Sequence, residues 1–139
     1  MREKGFTLAE LMGVIVILSI IAVIVLVTAD RSIKNSQTTT CQAQEKNIIE
    51  GAKTFVTDHT DRLPTVAGDS GAKEITMTEL QAGGYVEEGL VNPMTDLPYP
   101  SSLKIKVKTT TGMDYQFYII NIQDKEKCPG GEFYEEDNS

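Results

Sequence analysis

The chain has 139 residues, 40% of them apolar, with 13 Lys and Arg against 20 Asp and Glu, a formal net charge of −7. The apolar share is segregated: residues 11–29 carry no charge and 16 of these 19 are Ala, Val, Ile, Leu or Met, whereas residues 30–139 hold 36 apolar residues in 110. This excludes a polytopic membrane protein, a long coiled coil and a large multidomain enzyme, and the acidic excess leaves no phosphate-neutralising stripe beyond Lys104, Lys106 and Lys108 on one face of an expected strand.

The first element is the apolar run from Leu11 to Ala29, in which only Gly13, Ser19 and Thr28 are not aliphatic. As a helix it rises about 1.5 Å per residue and covers roughly 28 Å, close to the ~30 Å hydrocarbon thickness of a bilayer. Lipid offers the backbone no partner, so a Val- and Ile-rich run is forced to pair internally, as a helix. Arg2 and Lys4 precede it, and although Arg31 and Lys34 dilute the bias, the short N-terminal flank is expected to stay in the cytoplasm and the bulk of the chain to lie outside. The alternative is a conventional secretory signal peptide with small residues at Val27-Thr28-Ala29 and a mature chain beginning at Asp30. Two features oppose it: the run exceeds the usual ~7–15 residues of such a region, and an acid, Glu10, stands at its leading edge.

Gly5-Phe6-Thr7-Leu8-Ala9-Glu10-Leu11, behind a short basic leader and directly abutting the apolar run, resembles the processing site of type IV pilins and pseudopilins. The resemblance implies that residues 1–5 are a leader peptide cut after Gly5 by a prepilin peptidase, and that Phe6 is the N-methylated first residue of the mature chain. It further implies that residues 6–29 form a transmembrane helix that later becomes filament core, with residues 30–139 as an extracytoplasmic head. Glu10 matches the family's acidic residue four positions into the mature chain, implicated in assembly. A carboxylate costs roughly 2.5–3.5 kcal/mol at the centre of a spanning helix and less at its edge, so Glu10 is tolerable in lipid as an interfacial acid. Among packed helices it would need a cation, and the Phe6 amine of a neighbour is the obvious one; removing one member of a buried pair costs roughly 3–5 kcal/mol, which sets register. In the family, such an acid suggests a subunit of the shaft more than a tip cap. One departure stands out: Ile20 to Ala29 lacks the proline that many members carry, so local melting of the helix is not implied here.

Beyond Ala29, Cys41, Ile48, Ile49, Ala52, Phe55 and Val56 recur at helical intervals and predict an amphipathic continuation, giving one helix from about Phe6 to about His59. Gly51 is tolerated within it at about 1 kcal/mol, and Ser36 to Thr40 is a polar, β-branched patch where a hinge could form. Asp61 to Gly71 reads as a loop, Thr78-Glu79-Leu80-Gln81 as a capping box opening a short helix that Gly83 and Gly84 end, and Glu87 to Ser102, with Pro93, Pro98 and Pro100, as an irregular connector. Leu103, Ile105 and Val107 alternate with the three lysines as a half-buried strand, Thr110 to Asp114 turns at Gly112, and Tyr115 to Ile122 returns. The expected fold class is α+β, a long N-terminal helix whose C-terminal half packs on a small antiparallel sheet, as in pilin heads. The acidic segment Glu132 to Ser139 is expected to fray into solvent.

Cys41 and Cys128 are the only cysteines; outside the cytoplasm they are expected to pair, with two free thiols as the alternative. Asp58, His59 and Asp61 fit a solvated helix end better than a metal site. The stretch Val91 to Tyr99 resembles the loop before the sheet in major pseudopilins of type II secretion, where calcium is sometimes bound; Asp96 would be its ligand, but a structural turn is expected. Leu80 to Val86 is similar to a short phrase of competence pseudopilins. No nucleophile elbow, phosphate loop or metal-binding helix signature is present, so no enzyme, cofactor or resident metal is expected. The expected function is a structural subunit of a type IV pilus or pseudopilus. Its partners would be prepilin peptidase, other pilin subunits in a homo- or heteropolymer, the assembly platform with its ATPase, and membrane lipid before assembly. Nucleic acid joins them only if the filament serves DNA uptake. The alternative from another class is a monomeric binding module, secreted behind a signal peptide or anchored by its helix.

Overall fold

A computed structural model describes residues 5–135; Arg2 and Lys4 of the expected leader, and Glu136 and Asp137 of the acidic segment, lie outside the described residues. The chain forms two compact units, Met1–Ser36 and Gln37–Ser139. Helix α1, Leu8–Asp58, contributes to both and is long and apolar enough in its first half to cross a membrane.

In the first unit every residue from 5 to 36 is exposed. The polar exceptions within the apolar run pair with their own helix: Ser19 Oγ donates to the Ile15 carbonyl at 2.7 Å, and Thr28 Oγ1 lies 3.1 and 3.0 Å from the Ile24 and Val25 carbonyls. Gly13 brings no side chain, so the segment presents hydrocarbon all round with no polar side chain seeking water.

In the second unit α1 buries Cys41, Glu45, Ile48, Ile49, Gly51, Ala52, Phe55 and Val56, the expected apolar face with one acid added. That face is covered by a three-stranded antiparallel sheet of order β1–β4–β5, with β1 Lys73–Thr76, β4 Lys104–Thr109 and β5 Tyr115–Ile120. Leu103 Cα precedes β4, in which Ile105 pairs with both Ile75 and Ile119, so three buried isoleucines line one row across the sheet. Met77 and Leu80 of helix α2, Met77–Ala82, close the core. Neither the sheet nor the amphipathic half of α1 could hide its apolar side alone.

The structure adds one strand and corrects two sequence expectations. Strand β1 falls in a stretch left unassigned: Lys-Glu-Ile-Thr contains one apolar residue, Ile75, because an edge strand needs only one inward position here. The cap of α2 is Thr76, not Thr78; β1 ends there in an extended conformation, Thr76 Oγ1 accepts from the Glu79 amide at 3.2 Å and Glu79 Oε2 accepts from the Thr76 amide at 2.9 Å. The connector is not wholly irregular, since β2, Val91–Asn92, and β3, Leu97–Pro98, form a two-residue ladder.

Gly51 has a reason that its helix position hides. An added Cβ would stand 2.6 Å from the Tyr85 carbonyl oxygen and 2.9 Å from Val86 Cγ2, so the turn after α2 rests directly on the helix backbone. Intrinsic propensity would favour Gly51→Ala by about 1 kcal/mol, but overpacking against backbone typically costs ~1–3 kcal/mol. The substitution is expected to lower the urea midpoint of the head; an unchanged or raised midpoint would mean the turn yields freely.

Candidate functional site

Two sets of residues stand out, one at the start of the exposed half of α1 and one on its buried half. At its start, Phe6 is 87% exposed and the chain enters the helix through Thr7. Thr7 and Glu10 form a reciprocal pair: Glu10 Oε2 accepts from the Thr7 amide at 3.2 Å, and Thr7 Oγ1 accepts from the Glu10 amide at 3.3 Å. This is a capping box that satisfies helix donors otherwise orphaned at an apolar terminus, and it places a negative group at the positive end of the helix dipole. The T-x-x-E spacing at positions 7 and 10 was its signal in the sequence. Gly5, Phe6 and Glu10 are thus brought together at one exposed helix terminus, with the carboxylate bonded to the residue next to Phe6.

In the head, Cys41 and Cys128 are joined as a disulfide with a Cα–Cα distance of 5.6 Å, linking positions 87 residues apart. On the chain-entropy account a loop of that size contributes ~4–5 kcal/mol at most. The expectation of fraying fails for residues 132–135, the part of the acidic segment that the structure describes. Gln42 Nε2 donates to the Pro129 carbonyl at 2.7 Å, the Ile119 amide donates to the Phe133 carbonyl at 2.6 Å, and Tyr134 bridges to Ile119 beside β5. Glu135 pairs with Lys106 and Lys108, which also pair with Asp69. The lysines hold the Asp69 and Glu135 carboxyls below the usual carboxylate range, and the two acids push Lys108 up. Lys104 pairs with Glu74. Residues 132–135 therefore dock because the sheet's lysine face supplies the counter-charge of Glu135, an arrangement that composition alone could not reveal.

The remaining sites of the sequence reading are turns and caps. Asp96 is exposed at φ 55° between β2 and β3. His59 stacks on Phe55 with ring centroids 4.3 Å apart, while Asp58 accepts from the Tyr85 hydroxyl at 2.7 Å. Neither Asp96 nor the Asp58, His59, Asp61 group belongs to a cluster of three metal-type donors among the described residues. The cluster that does exist is Cys41, Glu45 and Cys128, and its sulfurs are bonded to each other.

Glu45 was missed. Its signal was position: it lies four residues after Cys41 and three and four before Ile48 and Ile49, so it falls on the buried stripe. It is 1% exposed; Oε1 accepts from the Tyr134 hydroxyl, and Tyr134 in turn accepts from the Cys128 amide at 2.6 Å. Glu45 Oε2 has no hydrogen-bond partner among the described residues. Burial pushes the carboxyl from 4.5 to about 7, against the opposing pull of the Cys128 backbone amide, and burial together with the Glu45 charge pushes Tyr99 up to about 12. Because the folded carboxyl holds its proton above the pH at which the unfolded one loses it, stability falls as pH rises from about 4.5 to about 7 and levels beyond. In Glu45→Gln, thermal melts across that window are expected to lose this decline; an identical decline would remove Glu45 as its source.

Comparison with known proteins accords with the helix terminus. The prokaryotic N-terminal methylation motif matches residues 1–26. Over 96 residues the chain is 32% identical to the competence protein ComGC of Bacillus subtilis strain 168, an alignment covering 67% of this chain and 84% of that relative. No solved structure matches significantly. With its apolar-headed helix laid on a small antiparallel sheet, the chain belongs to the type IV pilin and pseudopilin family.

Proposed function

We propose that this chain is the structural subunit of a competence-type pseudopilus, cut between Gly5 and Phe6 by a prepilin peptidase, N-methylated at Phe6 and polymerised through the first half of α1. The observation that carries this reading is the exposure, on every side, of the apolar run from Leu11 to Ala29. Burying one Val, Leu or Ile side chain is worth about 1.5–3 kcal/mol, so a dozen or more left in water would be untenable. Lipid covers them before assembly, with the N-terminal flank in the cytoplasm and the head outside; sister helices cover them afterwards. The likeness to a competence protein supports the DNA-uptake branch over an adhesive or secretion filament.

Within such a filament the Phe6 amine released by cleavage meets the Glu10 carboxylate of a neighbour. The assembly platform and its ATPase supply the work of extracting the helix from lipid. Contact with nucleic acid does not run along β4, because Lys104, Lys106 and Lys108 are each paired with acids of the same head. Any DNA contact is made by other surfaces or other subunits.

Mass spectrometry of the membrane-extracted protein is expected to show a chain beginning at N-methylated Phe6, whereas a chain beginning at Asp30 would indicate a conventional signal peptide and a monomeric module instead. Glu10→Val is expected to abolish or sharply reduce sheared filaments seen by electron microscopy while leaving the processed subunit in the membrane. Normal filaments from that variant would end the register role of Glu10.

A further inference from the structure

Glu45 is the one buried acid among the described residues, and its surroundings contain more chemistry than a structural acceptor needs. It stands one helical turn after Cys41 on the same face of α1, and a carboxylate oxygen and the sulfurs of Cys41 and Cys128 all lie within 4.8 Å of one another. Oε1 serves Tyr134, whereas Oε2 is buried without a partner among the described residues. A hollow of about 230 Å³, bordered by Gln42, Glu45, Lys46 and residues 130–133, adjoins it, roomy and polar enough for water. Gly131 crosses so closely that an added Cβ would stand 2.8 Å from Glu45 Oε2 and 2.5 Å from the Tyr134 ring. A glutamine would hold Tyr134 equally well and would not bury an ionisable group, so the acid itself calls for a role.

We propose that Glu45 is the internal proton acceptor that closes the Cys41–Cys128 bond, and the donor that would assist its opening. Both cysteines are buried in the closed form, Cys41 on the helix and Cys128 in the segment that docks over it; in the proposed sequence Cys128 meets the oxidant before that segment docks. That oxidant is an extracytoplasmic disulfide, RSSR. The Cys128 thiolate attacks one of its sulfurs, forming Cys128–S–S–R and releasing RSH after protonation. As the segment docks, the Cys41 thiol gives its proton to the Glu45 carboxylate, directly or through one water. The Cys41 thiolate then attacks the Cys128 sulfur, the bond to SR breaks, and the departing thiolate takes the proton back. Two thiols and RSSR become the bridge and two RSH, the two electrons passing to RSSR.

The base is needed because burial disfavours a thiolate, and only the thiolate attacks. A carboxyl in water is too acidic to hold a thiol proton well; burial moves Glu45 towards the range where general bases work best at neutral pH. The titratable groups facing it are Tyr134 and Cys128 from the docked segment and Tyr99 after β3, with Lys46 and Glu132 at the hollow's edge; Lys127 Nζ lies 5.5 Å over the Tyr134 ring. None is an alternative buried base.

The test uses the full chain in detergent micelles, reduced, freed of reductant and mixed with oxidised glutathione, with acid-quenched mass spectrometry resolving reduced, mixed-disulfide and closed forms from pH 5 to 9. Closure of the mixed disulfide is expected to rise to a shoulder near pH 7. In Glu45→Gln, closure at pH 7 is expected to slow about ten-fold or more and to lose the shoulder, while formation of the mixed disulfide is unchanged. Tyr134→Phe removes the structural hydrogen bond and leaves the base, so it is expected to keep the shoulder, as is Glu45→Asp. Wild-type closure without a shoulder overturns the proposal whatever the variants do. So does Glu45→Gln closing like the wild type, or Tyr134→Phe losing rate and shoulder as Glu45→Gln does. The outcome is independent of whether the chain polymerises.

Discussion

A helix whose first half finds no dry partner among the described residues is the constraint on which the rest of this molecule depends. From Leu11 to Ala29 the sequence offers hydrocarbon on every face, and the two hydroxyls that interrupt it, Ser19 and Thr28, turn back onto their own helix. Such a segment is stable only in lipid or among similar helices. Glu10 gives that otherwise featureless cylinder a defined end. In the lone chain its carboxylate is held by the Thr7 amide in a capping box, an interaction worth about 1 kcal/mol. In the proposed filament a neighbour's amine would compete with that cap, and because the cap is weak the carboxylate is available for exchange without a large barrier.

The head solves a separate problem, keeping a small sheet and one amphipathic face together in a polar chain with a modest core. Its solution is to fasten residues 128–135 back onto α1 and the sheet. The disulfide ties residue 128 to the helix, Tyr134 reaches Glu45, and Glu135 meets the lysines that alternate along β4. The positive stripe of β4 is thereby an internal clasp. Two acids on the same helix, Glu10 and Glu45, differ in what surrounds them. The first is exposed in the lone chain and is proposed to become buried on assembly, while the second is buried by the fold itself and carries the charge penalty there.

The elements legible in the sequence were those with a strong period. The uncharged run announced a helix without an inward face, whereas the stripe from Cys41 to Val56 and the alternation of Leu103, Ile105 and Val107 with lysines each announced an element and its inward face, and the structure buries those two faces together. What could not be read depended on partners distant in the chain. Strand β1 has one apolar residue and exists because β4 offers it a ladder; Thr76 rather than Thr78 caps α2 because β1 delivers it in an extended conformation. The docking of residues 132–135 follows from the lysine face, and the close approach at Gly51 from the turn at Tyr85. Glu45 was readable from its position on the stripe, but its charge class argued for the surface. The N-terminal motif is the opposite case: its meaning rests on residue identities within a dozen positions and not on the fold.

The central claim is that one apolar stem stays dry in two successive surroundings. A nitroxide label on Leu18→Cys, with the native cysteines paired, measures this directly through its relaxation by oxygen, which partitions into hydrocarbon, and by a water-soluble nickel chelate, which does not. In membranes the label is predicted to be open to oxygen and closed to the chelate; in sheared filaments it is predicted to be closed to both. A label that the chelate reaches in either state would contradict the account.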